Sequence, residues 1–381
     1  MDDRKSMFRD LPLQEFCITG PLPEALTDLT LLRELDLSLH VLTGPLPSSL
    51  GNLKSLESLD LLDCNIDGPI PESVGDLQNL QKLNLVGNRL TGPVPKSIGR
   101  LSKLVQLQLF SNDLTGPIPL ELMQLSLLTQ LDLGSNELTG PIPPELGQLS
   151  LLTRLHLGTN KLLGPVPETL FGLTLLTQLN LSSQYLTGPL SPLVAQLVNL
   201  RRLNLEENEL EGFIPPELNL CTQLRQLNLS DNQFVGPIPP SLSNLRHLSE
   251  LQLGENRLEG PIPAGLGDLT SLEVLELHQN ILTGTLPESL TRLTNLYYLK
   301  VHHNQLEGPL IQLGALEELS ELQLGFNRFS GEIPDSIARL IRLEELGLRG
   351  NEGLADAKIP GSVEDGSRVY DLLVAEGFSR R

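Results

Sequence analysis

Fourteen glycines form a column along this chain, and their spacing limits the possible folds more than any other feature. The column runs from Gly20 to Gly308 in steps of 24 residues and reaches Gly331 after one shorter step. A fixed period over almost the whole sequence is typical of a repeat solenoid, in which each unit packs only against its neighbours. Counting from Phe8 to the last unit at Leu343 gives fifteen repeats.

Each repeat contains a short segment in which apolar and polar residues alternate. Leu131-Asp-Leu133 is one copy, and Leu203-Asn-Leu205 is another. Alternation with a period of two indicates a strand with one buried face and one solvated face. Each repeat is therefore expected to add one strand to a long parallel sheet.

An asparagine follows this strand in most repeats. A chain that turns inward after a strand buries backbone donors and acceptors, and an Asn side chain can bond both kinds. We therefore interpret this column as an internal hydrogen-bond ladder rather than as a ligand site. Its members are Asn88, Asn112, Asn136, Asn160, Asn208, Asn232, Asn256, Asn280, Asn304, Asn327 and Asn351.

The full repeat, seen from Leu128 to Pro143, resembles the leucine-rich repeat and in particular its plant-specific type, found in receptor-kinase ectodomains. The resemblance implies an α/β repeat fold, a right-handed, curved solenoid with a parallel sheet on its concave face. It also implies binding of a protein or peptide ligand on that face, in signalling or defence recognition. The predicted boundaries are an N-terminal extension at 1–7, the solenoid at 8–354 and a C-terminal cap with a short helix at 355–381.

Charge and motif content limit the possible functions. The formal net charge of −20 disfavours nucleic acid and anionic membrane surfaces as partners. No apolar run approaches the length of a transmembrane helix. No phosphate-binding loop, His-Glu-x-x-His, Cys-x-x-Cys or kinase motif interrupts the repeats. The sequence therefore predicts a protein that is not an enzyme and needs no cofactor, and it leaves the oligomeric state open.

Two features predict a cytoplasmic location. The first residues, from Met1, lack the apolar segment of a secretory signal. The three cysteines, Cys17, Cys64 and Cys221, are too far apart to form the paired cap disulfides of plant receptor ectodomains, which favours a reducing compartment. The alternative is a fragment of a secreted or cell-surface protein, either receptor-like or a cell-wall-associated inhibitor.

Exposed positions at the strand ends are the candidate contact surface. In the first seven units they are mostly small and uncharged, whereas later units carry acidic residues and then aromatic and basic ones. For the acidic residues, a solvated face with mutually relieving charges is one interpretation, and a stripe that selects a basic partner is the other. The aromatic and basic residues are the preferred contact surface, because Tyr beside His and Lys is typical of interfaces, and the alternative is ordinary drift at exposed positions. The candidate partner-binding residues are Glu207, Asp231, Glu255, Glu276, His278, Tyr297, Tyr298, Lys300, His302, His303 and Phe326.

Two further hypotheses concern the same region. His278 and His302 occupy one column of neighbouring strands, so with Glu276 or His303 they could bind a divalent metal ion. Nothing in the sequence fixes a third ligand, so we expect that no metal is bound. The repeat also loses one residue between Leu306 and Leu319, which predicts a kink of the convex side beside the aromatic and histidine residues.

Overall fold

The computed structural model describes residues 18–380. The predicted extension at 1–7, the start of the first repeat at Phe8 and the thiol of Cys17 lie outside these residues. The chain divides into two compact units, residues 1–140 and 141–381. Each unit is built from the same repeat and is described by itself.

Within each unit the alternating segments form three-residue parallel strands that pair in chain order, and we call these strands the first sheet of that unit. Their registers keep the leucines in line; Leu203, for example, pairs with Leu227. In the N-terminal unit the strands are Glu34–Asp36, Ser58–Asp60, Lys82–Asn84, Gln106–Gln108 and Gln130–Asp132. In the C-terminal unit they are Arg154–His156, Gln178–Asn180, Arg202–Asn204, Gln226–Asn228, Glu250–Gln252, Val274–Glu276, Tyr298–Lys300, Glu321–Gln323 and Glu345–Gly347.

A second set of parallel strands, the second sheet, precedes the proline segment of each repeat. Its glycines have positive φ, 79° at Gly212, which a residue without a Cβ adopts without strain. In the N-terminal unit the strands are Thr19–Pro21, Val41–Thr43, Asp67–Pro69, Arg89–Pro93, Asp113–Gly116 and Glu137–Pro141. In the C-terminal unit they are Lys161–Pro165, Tyr185–Pro189, Glu209–Phe213, Gln233–Pro237, Arg257–Pro261, Ile281–Thr283, Glu307–Gly308 and Arg328–Phe329.

Short 3-10 helices follow the prolines. Pro143 precedes one of them with φ −64° and ψ 127°, an extended conformation that ends the strand and starts the turn. In the N-terminal unit these helices are Glu24–Asp28, Leu50–Asn52, Glu72–Asp76, Lys96–Arg100 and Leu120–Gln124. In the C-terminal unit they are Pro144–Gln148, Glu168–Gly172, Pro192–Gln196, Pro216–Leu220, Pro240–Asn244, Ala264–Asp268, Glu288–Arg292, Leu313–Ala315 and Asp335–Arg339.

The leucine columns form the core between these layers. Leu203, Leu205 and Leu210 come from one repeat, and each is at most 1% exposed. Burying a leucine side chain stabilises a fold by about 2 kcal/mol. One repeat cannot enclose its own leucines, so this stabilisation depends on stacking against the next repeat.

The asparagine column is the predicted hydrogen-bond ladder. Asn232 donates from Nδ2 to the carbonyl oxygens of Leu205, Ser230 and Leu229, at 2.9, 3.0 and 3.3 Å. Its Oδ1 accepts from the backbone N–H of Leu210 at 3.0 Å. One side chain thus joins two consecutive repeats and satisfies backbone groups that the inward turn has removed from water.

Among residues 18–380, three repeats have another residue at this ladder position, namely His40, Cys64 and Gln184. Gln184 donates from Nε2 to the carbonyl oxygen of Leu157 and accepts at Oε1 from the N–H of Leu162. Cys64 donates from Sγ to the carbonyl oxygen of Leu37 at 2.9 Å. Burial raises the pKa of the Cys64 thiol, so Cys64 acts as a neutral donor in the core.

The one-residue deletion shortens a 3-10 helix and leaves both sheets paired across it. Tyr298 still pairs with Glu321, so the first sheet continues in register through the deletion. The second-sheet strands on either side of it, Glu307–Gly308 and Arg328–Phe329, also pair with each other. The helix between them, Leu313–Ala315, has three residues, whereas five is usual in the other repeats. The strand ends of the first sheet are therefore undisturbed, and the kink predicted here stays a prediction.

The predicted C-terminal helix spans Arg368–Ala375. Ser367 caps it by accepting a hydrogen bond from the N–H of Tyr370 at 3.2 Å. The carboxylate of Glu376, which follows the helix, accepts from the backbone N–H of Leu348 at 2.6 Å. The helix segment thereby supplies a partner to a backbone donor beyond the last strand of the first sheet.

Candidate functional site: an acidic groove at the strand ends

A groove of about 580 Å³ lies at the carboxyl ends of the first-sheet strands in the C-terminal unit. We call it the strand-end groove. Its lining contains six carboxylates, one lysine and two histidines. The lining residues are Glu206, Glu207, Ser230, Asp231, Glu255, Glu276, His278, Gln279, Lys300, His302, Glu321 and Gln323.

The backbone that positions the outer residues of the groove has an unusual conformation. The residue before each ladder asparagine has positive φ, 55° at Glu207, 51° at Asp231 and 54° at Glu255. This left-handed turn sends the following asparagine into the core. It costs a non-glycine residue about 1 kcal/mol. Gly87 meets the same requirement in the N-terminal unit without that strain.

One half of the groove is acidic and unneutralised. We define the acidic half as Glu206, Glu207, Asp231 and Glu255, which come from three consecutive repeats. Among residues 18–380, no ion pair joins Glu206, Glu207 or Asp231 to a basic side chain. Burial, and then the neighbouring carboxylates, raise the pKa of Glu206 and of Asp231 above their usual values. These groups therefore repel one another without a cation to relieve them.

The arginines that could have relieved this charge lie elsewhere. Arg201, Arg202 and Arg225 are exposed at the start of the strands, and no ion pair of theirs is present in the described part of the chain. In the described part of the chain, these arginines therefore do not neutralise the carboxylates of the acidic half.

The other half of the groove carries its own neutralising charge. We define the paired half as Glu276, Lys300, Glu321 and His302. Lys300 Nζ lies 3.3 Å from Glu276 Oε1 and 3.1 Å from Glu321 Oε2, with the three side chains 25%, 15% and 16% exposed. Burial alone would lower the pKa of Lys300, but the two carboxylates outweigh it and raise the pKa. The ammonium group is therefore already satisfied.

Imidazole rings form the floor beside Lys300. His278 and His302 stack with ring centroids 4.8 Å apart and planes within 10° of parallel. Burial, and then the nearby His278, lower the pKa of His302 to about 4, so its ring is neutral at ordinary pH. A Cβ at Gly254 would lie 2.4 Å from Cε1 of His278, so the glycine makes room for that ring. His303 meets His302 edge-on, with ring centroids 5.3 Å apart.

The metal hypothesis finds no support in this geometry. Within residues 18–380, no group of three or more His, Cys, Asp or Glu side chains is arranged to hold a metal ion. His278 and His302 lie face to face, so their nitrogens do not converge on a common point. His278 Nε2 instead lies 3.7 Å from Glu255 Oε1.

The candidate residues from the sequence divide between the groove and its surroundings. Seven of them line the groove: Glu207, Asp231, Glu255, Glu276, His278, Lys300 and His302. Outside the lining, His303 stacks on Phe326 at 4.2 Å, and Tyr297 packs edge-on against Tyr298 at 4.6 Å. Tyr298 belongs to the strand itself and reaches the groove only through Lys300 Nζ, which is 5.3 Å from its ring centre.

Five lining residues are not among those candidates: Glu206, Ser230, Gln279, Glu321 and Gln323. Ser230, Glu321 and Gln323 occupy the same repeat columns as Glu206, Tyr298 and Lys300. The column position was the signal that could have identified them, because a serine or glutamine in isolation has no distinctive chemistry.

Comparison with known families agrees with the repeat structure. Profiles of the leucine-rich repeat match residues 54–114 and 246–306, and a second profile matches 127–149, 199–221, 223–245 and 318–340. No curated protein matches the chain at the sequence level.

Several solved structures are similar to this chain in sequence and in fold. A plant peptide hormone receptor, RGFR1 in complex with RGF2, is 37% identical with a TM-score of 0.86, over 91% of this chain and 56% of that one. The ectodomain of the Arabidopsis thaliana membrane receptor kinase GASSHO1/SCHENGEN3, in complex with CASPARIAN STRIP INTEGRITY FACTOR 2, is 33% identical with a TM-score of 0.56, over 87% and 49%. The chain therefore spans about half the length of these receptor chains.

A bacterial protein is similar over most of both chains. The Leptospira interrogans leucine-rich repeat protein LIC12759 is 33% identical with a TM-score of 0.73, over 95% of this chain and 88% of that one. This similarity covers the repeats almost completely and therefore supports a family assignment for the whole array.

The prediction of a cytoplasmic location is wrong, because the similar structures are receptors and an ectodomain, which points to a secreted or cell-surface protein. The cysteine argument failed for a physical reason. Cys64 and Cys221 are completely buried, and burial raises the pKa of the Cys221 thiol to about 11, so neither reports on the redox compartment. In the part of the chain described, no helix is long and apolar enough to cross a bilayer. By its repeats, its profiles and its structural relatives, the chain belongs to the leucine-rich repeat family.

Proposed function

We propose that this chain is a non-catalytic recognition module that binds a peptide, or a peptide-like segment of a protein, in the strand-end groove. The observation that carries the proposal is the groove itself, in which polar side chains from six consecutive repeats face one open cavity. An extended ligand can lie across successive strands about 4.8 Å apart and contact one repeat after another.

Two further observations support the proposal. The receptors RGFR1 and GASSHO1/SCHENGEN3 were each solved in complex with a ligand, RGF2 and CASPARIAN STRIP INTEGRITY FACTOR 2 respectively. In addition, Glu207, Asp231 and Glu255 bring one carboxylate from each of three consecutive repeats to the groove, and such a charge pattern favours a basic ligand segment.

A steric block of the groove tests the proposal. Gln279 lines the groove and is exposed, and Phe326 occupies the same left-handed column, so an aromatic residue is tolerated there. We expect peptides selected from a displayed random library to bind wild type and to lose at least about tenfold in affinity for Gln279→Trp.

The matched control is Ile281→Trp in the same repeat. Ile281 lies on the second sheet and is 44% exposed, so the variant adds the same ring away from the groove. Affinity of the selected peptides for this variant should stay within about twofold of wild type. Selection that yields no binding peptide, or peptides that bind Gln279→Trp as tightly as wild type, would overturn the proposal.

A further inference from the structure

The strand-end groove has an excess of negative charge at one end only. In the paired half, Lys300 contacts both Glu276 and Glu321. In the acidic half, the only basic side chain paired with a carboxylate within residues 18–380 is His278, 3.7 Å from Glu255. The carboxylates of adjacent repeats are therefore gathered around a space that lacks a cation.

A buried hydroxyl in the acidic half also lacks a partner. Ser230 is 8% exposed and lines the groove, and its Oγ makes no hydrogen bond. The equivalent Ser182, two repeats earlier, is 7% exposed, and its Oγ donates to Asn180 Oδ1 at 2.8 Å. The same column thus holds one satisfied serine and one unsatisfied serine, and the unsatisfied one lies among the carboxylates. A hydroxyl buried without a partner calls for an explanation, and a donor or acceptor of a ligand in the groove would supply one for Ser230.

We propose that the ligand carries a guanidinium side chain that enters the acidic half and is held by Glu206, Glu207 and Asp231. This inference rests on the proposed function and adds the chemical class of the ligand. A guanidinium group has five donors in a planar fork, so it can serve carboxylates on two adjacent strands and still donate elsewhere. An ammonium group lacks this planar fork.

A synthetic peptide probe can measure whether binding requires the positive charge of the guanidinium group. The probe is acetyl-Gly-Ser-Gly-Arg-Gly-Arg-Gly-Ser-Gly-amide, and its comparison peptide has citrulline, the neutral isostere, in place of both arginines. Titration at about 150 mM salt screens the general field of an acidic protein, because the Debye length is then about 8 Å. We expect wild type to bind the arginine peptide at least about tenfold more tightly than the citrulline peptide.

Two triple variants with the same change in net charge show whether the arginine peptide binds at the acidic half of the groove. The groove variant is Glu206→Gln, Glu207→Gln and Asp231→Asn, and it should lose about tenfold or more in affinity for the arginine peptide. The control variant is Glu209→Gln, Glu211→Gln and Glu259→Gln. All three glutamates are exposed on the second sheet, Glu209 and Glu211 in the repeat of Glu206 and Glu259 in the repeat of Glu255, so the control should bind like wild type.

Equal losses in the two triple variants would overturn the inference, because they would assign binding to the net charge. Equal affinity for the arginine and citrulline peptides would also overturn it.

Spermidine, a free polyamine, should compete weakly with the arginine peptide. Displacement of the arginine peptide by micromolar spermidine would contradict recognition of a guanidinium. Library peptides that depend on the groove but lack arginine would refute this inference and leave the proposed function standing, whereas the absence of any groove-dependent peptide would refute both.

Discussion

The two halves of the strand-end groove use similar residues in opposite ways. In the paired half, Lys300 lies between Glu276 and Glu321, and every charge has a nearby partner of opposite sign. In the acidic half, Glu206 and Asp231 have only like charges near them. Charges that satisfy one another contribute to the fold, whereas charges that repel one another weaken it and are retained for another reason. This difference supports the proposal that the acidic half is the part of the groove that binds the ligand.

The strongest test of the paired half is removal of its cation. Lys300→Met keeps the length of the side chain but leaves Glu276 and Glu321 facing each other at low exposure. Breaking a fully buried pair costs about 3 to 5 kcal/mol. Because these groups keep some contact with water, we expect the free energy of unfolding to fall by about 2 kcal/mol in urea titrations.

The control for this substitution is an exposed ion pair in the same unit. Arg292 and Asp268 lie 2.8 Å apart, but their side chains are 63% and 39% exposed. Arg292→Met should therefore change the free energy of unfolding by less than about 1 kcal/mol. A Lys300→Met variant as stable as this control would remove the distinction between the two halves.

Acid should weaken the paired half through His302. The pKa of His302 is lowered to about 4, mainly by burial and then by His278, His303 and Lys300, while Glu276 acts in the opposite direction. The fold thus prefers the neutral ring. As pH falls from 6.5 towards 4, His302 takes up a proton in the unfolded chain but not in the folded one, so stability is lost over this window.

The substitution His302→Asn removes this titration. We expect the drop in melting temperature between pH 7 and pH 4.5 to be smaller in the variant than in wild type, with about 1 to 2 kcal/mol of pH-dependent stability removed. The exposed His247, which precedes a strand, supplies the control. An unchanged pH dependence in His302→Asn, equal to that of His247→Asn, would mean that the ring is solvated.

The smallest expected effect is a gain in stability in the acidic half. The pKa of Glu206 is raised by burial and then by Glu207, so the folded state prefers the protonated carboxyl. The cost of ionisation is present at neutral pH and disappears as pH falls below the unfolded value of 4.5. Glu206→Gln should therefore stabilise the protein at pH 7, by less than about 1 kcal/mol.

The same variant should have little effect on stability at pH 3.5, where the wild-type carboxyl is protonated in both states. Thermal unfolding at the two pH values measures this difference, with Glu259→Gln on the second sheet as the control. Destabilisation by Glu206→Gln at pH 7 would show that this carboxylate supports the fold, and the contrast between the two halves would fail.

The regular parts of the fold could be predicted because repetition amplifies weak local signals. One Leu-Asp-Leu segment is ambiguous, but its recurrence every 24 residues identifies a strand of the first sheet. The ladder role of the asparagines, including the substitution by Cys64, follows from the need to satisfy buried backbone groups.

The site could be predicted only in part because pairing between columns depends on side-chain conformation. The acidic columns and the histidine column were visible in the sequence. The position of Lys300 between Glu276 and Glu321 was not, since it depends on which way a long flexible side chain points. Tyr297 and Tyr298 attracted attention as aromatic residues, yet they pack mainly against each other outside the groove lining.

The most direct test of the central claim is a crystal structure of the protein bound to an arginine-containing peptide selected from the library. The account predicts a peptide lying across the strand ends of the C-terminal unit, with a guanidinium nitrogen within about 4 Å of a carboxylate oxygen of Glu206, Glu207 or Asp231. A peptide bound on the second sheet, or one in the groove whose arginines point into solvent, would contradict it.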